Sequence, residues 1–174
     1  MPGSLEFIKN VNSSSNASTV DVTNVFSAKY DIYKVTTSIT TDAAFHPVDM
    51  RLLDSGGTVI DQSEYEYAFH ELRSSTTFGV GKSTGTTQIL RPMRTGSGAA
   101  AGGHNVIYFY NPYDSSSFTN LIFQVGAWSS GTPQLGGQKG IAMHKSAETI
   151  SGFRYFVTSD NITSHNITVY GVKE

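Results

Sequence analysis

The sequence predicts an all-β chain, an antiparallel, jelly-roll-like β-sandwich of about nine or ten strands. Three observations point there. The 174 residues include 22 Ser, 19 Thr, nine Tyr and ten Phe, and only 15% are charged; this favours half-buried pleated surfaces over solvated helices. Apolar side chains recur in twos rather than in threes and fours. Clusters of Gly, Asn, Asp, Ser and Pro interrupt the alternation every ~8–15 residues, the spacing of short strands joined by turns. The length fits one domain, and a hydrophobic content of 38% supplies a core for it.

Leu5–Val11 reads as a first strand or an N-terminal arm (residues 1–11), ahead of a single sandwich domain over 12–174. Asn12–Thr19 is a Ser/Asn-rich loop. Val20–Phe26 alternates. Tyr30–Ile39 places Tyr33, Val35, Thr37 and Ile39 on one face, and Val48–Leu53 places Val48, Met50 and Leu52 on one face. Asp54-Ser55-Gly56-Gly57 turns the chain back into Thr58-Val59-Ile60, the glycines supplying positive φ.

Asp61–Leu72 fits two patterns. Tyr65, Phe69 and Leu72 match a helical stripe with Asp61 and Glu64 as a capping box, while Tyr65, Tyr67 and Phe69 alternate as a strand. The aromatic content favours the strand. Gly79–Thr87 and Gly131–Gly137 read as looser, and Thr95–Gly103, with no large side chain, as a contact-making loop. His104–Tyr110 and Leu121–Trp128 are apolar on both faces, which marks central strands or an interface. Asn111-Pro112-Tyr113-Asp114 is a turn, and Gly140–Lys145, Gly152–Val157 and Ile167–Val172 close the series.

Several function classes are excluded at this level. A net charge of −2 provides no field to attract nucleic acid or an anionic membrane. No apolar run is long enough for a spanning helix. Met1–Phe7 has neither the basic nor the apolar region of a secretory signal. Without Cys there are no disulfides, thiolate metal sites or Cys nucleophiles, as expected of a protein made in a reducing cytosol.

The candidate motifs are weak. Gly79-Val80-Gly81-Lys82-Ser83 lacks the earlier Gly of a phosphate loop, Thr76 standing in its place. Gly96-Ser97-Gly98 is flanked by Thr95 and Ala99 where a nucleophile elbow needs glycines. His46, His70, His104, His144 and His165 form no local pairs with metal-ligand spacing. Asp61, Glu64, Glu66 and Glu71 read as a solvated acidic patch protecting a sheet edge, since nothing sets two carboxylates across a cleft. Trp128 and the tyrosines offer rings for sugar stacking, although most belong in a core. The sequons at Asn12, Asn16, Asn161 and Asn166 are what a Ser/Thr-rich chain produces by chance. No catalytic residue, cofactor or metal is expected.

Three stretches together carry a resemblance. They are Gly3–Lys9 with Phe26–Val35; Arg51–Gly57 with Tyr65-Glu66-Tyr67-Ala68; and Gly137–Ala142, Ile150–Phe156 and Asn166–Lys173. Together they resemble small virion structural proteins of marine tailed bacteriophages, described as tail-fibre-like. The close Ile167-Thr168-Val169-Tyr170-Gly171-Val172-Lys173 is similar to the last strand of phage surface jelly rolls. The Gly96–Gly103 loop is no part of the likeness. The resemblance implies a non-enzymatic surface protein of the virion, assembling as a homotrimer or higher oligomer. Two placements compete: a head decoration (cement) protein bound to the major capsid protein, or a tail or tail-fibre component bound to a host glycan or receptor. The compact length favours decoration. Phe7, Ile8, Tyr108, Tyr110 and Trp128 are the expected oligomer or partner contacts. The enzyme alternative, a polysaccharide depolymerase, needs opposed carboxylates in a groove.

Overall fold

The computed structural model describes residues 4–42, 46–75, 77–95, 102–129 and 134–173. Among them are twelve strands: β1 (Leu5–Ser13), β2 (Thr19–Val22), β3 (Ile32–Thr41), β4 (His46–Asp54), β5 (Tyr65–Arg73), β6 (Gly79–Thr86), β7 (Ile89–Thr95), β8 (Gly103–Tyr110), β9 (Thr119–Ser129), β10 (Gln134–His144), β11 (Ile150–Phe156) and β12 (Ile162–Val172). They form an eight-stranded sheet in the order β1-β12-β3-β8-β9-β10-β5-β6 and a four-stranded sheet in the order β2-β11-β4-β7. Every strand pair is antiparallel. The all-β sandwich expected from the alternation is therefore what forms, with unequal sheets.

Period two does the sorting. In β3, Tyr33, Val35, Thr37, Ile39 and Thr41 are buried while their neighbours stay half-exposed. The aromatic centre joins the layers. Phe26, from the β2–β3 connection, packs 4.8 Å from the Tyr33 ring and 5.0 Å from the Phe109 ring, and Phe109 stacks at 5.4 Å on Phe153 of the small sheet.

Buried tyrosines are tied by their hydroxyls. Leu52 N–H donates to Tyr65 Oη at 3.0 Å, and that hydroxyl donates to the Ile60 carbonyl at 2.9 Å. Asn105 Nδ2 donates to Tyr155 Oη at 3.1 Å. Burial pushes the Tyr155 phenol up to about 12.

Leu5–Ser13 is hydrogen-bonded to β12 and forms one edge of the large sheet. The Asp54–Gly57 turn is present: Gly57 has φ 81, and Asp54 Oδ1 accepts from Gly56 N and Thr58 N at 2.8 Å each. Its return arm is short: the bridge Leu53↔Val59 is flanked by Asp54 N–H donating to the Thr58 carbonyl at 2.9 Å and Ile60 N–H donating to the Leu52 carbonyl at 3.0 Å. The ambiguous Asp61–Leu72 segment resolves to strand from Tyr65 onward.

Two stretches that read as loose are strands. Gly81 of β6 and Gly140 of β10 clear space for rings. Phe69 has Gly140 and Gly81 as its register partners, and a Cβ on Gly81 would lie 2.2 Å from the Phe69 ring. Likewise β10 begins at Gln134, inside the stretch read as a Gly131–Gly137 loop. β7 has no counterpart in the expected series. It is an edge strand with Pro92, a positive φ at Arg91 and a register shift against β4, so its burial does not alternate. The Thr95–Gly103 loop falls mostly on residues 96–101, outside the described residues.

Candidate docking face

The register of the large sheet builds its outer face. Phe7 pairs with Tyr170, Tyr170 with Lys34, Lys34 with Tyr108, Tyr108 with Ile122, Ile122 with Ile141, Ile141 with Ala68 and Ala68 with Lys82. One outward residue from each of eight strands thus lies in a single row, about 34 Å long at the usual strand spacing. Opposite-facing neighbours of these residues fill the core, so the outer face is set by the same alternation that buries Ile107, Phe109, Leu121 and Phe123.

This face exposes large apolar side chains between polar ones such as Gln124, Lys139 and His70. Ile122 is 42% exposed, Ile141 59%, Leu135 60% and Val80 76%, values that leave a large share of their burial energy unrealised. A groove of about 1060 Å³ runs over β8, β9, β10, β5 and β6, lined by Tyr110, Ile122, Ile141, Met143 and Lys82 among others. A second, of about 630 Å³, adjoins it around Val80, Ile122 and Ile141. Lys34, Lys82 and Lys139 stand on the same face, and no ion pair of theirs occurs among the described residues. Its carboxylate Glu66 is held by Lys145 at 2.7 Å. The face is therefore apolar and positive, although the chain is not.

The five expected contact residues divide. Phe7 is 61% exposed at the end of the row, against the Tyr170 ring at 6.3 Å. Tyr108 and Tyr110 lie half-buried on the face, and Tyr110 lines the groove. Trp128 is exposed beside its register partner Leu135, but six residues along β9 from Ile122, about 20 Å away. Ile8 sits at the β1 bulge and packs against the protein's own core. Sequence reasoning missed Ile141, Leu135, Val80 and the lysines. Ile141 was legible by alternation, whereas Val80, Lys82 and Leu135 lay in segments read as loose.

The acidic patch is corrected by the fold. β5 is not an edge strand, since β6 lies outside it. Glu71 points inward and is 3% exposed. It pairs with Arg73, with Arg91 Nη1 at 3.1 Å and with Arg94 Nη1 at 3.2 Å, and accepts from Gln138 Nε2 at 3.1 Å. Burial raises its pKa, but the Arg73 hydrogen bond and the three arginine charges outweigh that and hold the carboxyl below its ordinary value. Burial lowers Arg94 to about 10 against the pull of Glu71.

The remaining motifs also find their places. Gly79–Ser83 lies in β6, so its N–H groups serve a ladder and not an anion nest. Gly96-Ser97-Gly98 is outside the described residues. His70 and His104 are exposed, while His165 is buried and its pKa is lowered by that burial. His144 is fully buried and meets Glu64 and Glu148, a grouping the search for histidine pairs passed over.

No protein-family model matches the chain, and no curated protein matches it. Among solved structures, exo-inulinase from Aspergillus awamori gives a TM-score of 0.38 at 11% identity, covering 97% of this chain and 29% of that one. The infectious bursal disease virus Gx strain structure gives a TM-score of 0.18 at 12% identity, covering 99% and 42%. The VP2 subviral particle of that virus gives 0.16 at 11%, covering 99% and 41%. The chain thus spans under half the length of each of these neighbours, and at such scores none of them assigns it a role.

Proposed function

We propose that this chain is a non-enzymatic structural protein of a bacteriophage particle, a head decoration protein that docks by the outer face of its large sheet. The observation that carries the docking is the open face of exposed apolar side chains with three lysines that form no ion pair among the described residues. The sequence resemblance supplies the viral setting. The occupant is a capsid-protein surface with an apolar centre and an acidic rim. Packing this face on its own copy would bring the lysine-bearing rows together, which like charges oppose. Burial of Ile122, Ile141, Leu135 and Val80 supplies the affinity, and the lysines supply steering. Self-association into a trimer uses the far end of the sheet, the open edge of β1 with the adjoining end of the outer row, where Leu5 and Phe7 are 48% and 61% exposed. Of the acids, Glu66 and Glu71 are each held by cations and lie on opposite faces of β5.

The tail or fibre reading rests on Trp128, whose exposed ring beside Leu135 offers a stacking surface for a host glycan. The two readings separate in one experiment. Purified protein is added to expanded heads lacking it and to isolated tails, and the bound fraction is measured by sedimentation. Decoration requires saturable, symmetry-matched binding to heads that weakens with salt. It also requires that Ile141→Thr with Ile122→Thr, which keeps β-branched side chains at these paired positions, sharply weaken binding in a protein that still folds. Binding to tails alone, or undiminished head binding by the double variant, defeats it. Loss of glycan binding in Trp128→Ala would establish the tail reading. A concentration-independent monomer mass by light scattering would remove the trimer.

A further inference from the structure

His144 ends β10 with its imidazole fully buried. Its Nε2 lies 3.2 Å from Glu64 Oε2 and 3.7 Å from Glu148 Oε1. All three atoms fall within 4.8 Å of one another. Glu64 immediately precedes β5, and Glu148 belongs to the β10–β11 connection. Lys145 N–H donates to the Glu64 carbonyl at 2.8 Å, which fixes the two segments together. The Lys145 ammonium turns away to Glu66, and no Lys or Arg among the described residues pairs with Glu64 or Glu148. Two carboxylates therefore converge on one imidazole nitrogen, which carries at most one proton to share between them.

We propose that Glu64, His144 and Glu148 bind a divalent transition-metal ion of the Zn²⁺ class, stapling the start of β5 to the end of β10 and the β10–β11 connection. Zinc holds nitrogen and carboxylate oxygen at about 2.0–2.2 Å, which spaces tetrahedral ligands about 3.4 Å apart. The two distances from Nε2 bracket that spacing. Glu64 and Glu148 side chains are 39% and 35% exposed, so water completes the coordination from the open side. A mixed imidazole–carboxylate set suits Zn²⁺ better than Ca²⁺ or Mg²⁺, which take oxygen. The buried imidazole is what sets this group apart from an ordinary acidic cluster.

Metal on Nε2 leaves the imidazole proton on Nδ1, which has no hydrogen-bond acceptor among the described residues. Loss of such an outer partner weakens zinc sites about 10–100-fold, so this site should bind by that much less tightly than one with its outer shell complete. The test uses the whole chain after chelator treatment, titrated with ZnCl₂ by calorimetry and thermal melting. One Zn²⁺ per chain and a melting rise of about 7 °C at a hundredfold excess over Kd are expected. Glu148→Gln should weaken Zn²⁺ at least about tenfold while melting like wild type without metal. No binding up to millimolar Zn²⁺, an unchanged Zn²⁺ response in Glu148→Gln, or stronger stabilisation by Ca²⁺ than by Zn²⁺ would overturn the site. If His144→Gln does not fold, Glu64→Gln and Glu148→Gln decide the matter.

Discussion

Replacing Glu71 by glutamine keeps the side chain's shape and removes its charge. Three guanidiniums then lose the carboxylate they share. Arg73 and Arg91 side chains are 34% and 39% exposed, so both can turn to water and their share is small. Arg94 is the costly member: its side chain is 10% exposed, and burial already pulls its pKa down to about 10. Breaking a buried pair costs about 3–5 kcal/mol, and the lower end, ~3 kcal/mol, applies because the amide oxygen of the substituted side chain still accepts a hydrogen bond. With unfolding entropy near 2.1 cal/mol/K per residue, that is a fall of about 8 °C in melting temperature.

The same site sets an acid limit. The folded Glu71 carboxyl lies below the unfolded value of about 4.3, so between the two the unfolded chain binds more protons. The network's contribution is complete above the unfolded pKa and disappears as pH falls through the folded one. Calorimetric melting from pH 7 to pH 3 should show wild type converging on Glu71→Gln. Removing Arg94 as well, in Glu71→Gln with Arg94→Met, should restore most of the loss at neutral pH. A Glu71→Gln protein melting within about 2 °C of wild type at pH 7 would refute the reasoning, because it would mean the arginines do not need this anion.

Other tests address the core. A Cβ on Gly140 would lie 2.4 Å from Phe123 Cζ, 2.7 Å from Phe69 Cβ and 2.8 Å from the Ala68 carbonyl oxygen. Gly140→Ala should therefore lower stability by about 1–3 kcal/mol in a urea titration, and an unchanged midpoint would show that Phe69 and Phe123 can yield. Tyr155→Phe removes an acceptor of Asn105, which keeps its second bond to the Pro92 carbonyl at 2.9 Å. The expected cost is about 1 kcal/mol; a loss of several would mean that the hydroxyl organises more of the core than these bonds.

Alternation alone determined a great deal. It placed Tyr33, Val35, Thr37 and Ile39 inward, marked β8 and β9 as apolar on both faces, and located the Asp54–Gly57 turn. These are local properties, because a strand's two faces follow from a repeat of two whatever lies beside it. The outer row from Phe7 to Lys82 was decided only by the order and register of eight strands, most of them distant in sequence. β6 and the first half of β10 escaped notice because their glycines signal loops locally, whereas in the sheet Gly81, like Gly140 farther along β10, makes room for the Phe69 and Phe123 side chains. Glu71 looked like surface charge because its three arginines arrive from β5 and β7, and Glu64, His144 and Glu148 meet across 80 residues of chain for the same reason. A charge's partners are a matter of distance in space, and only the tertiary structure sets that distance.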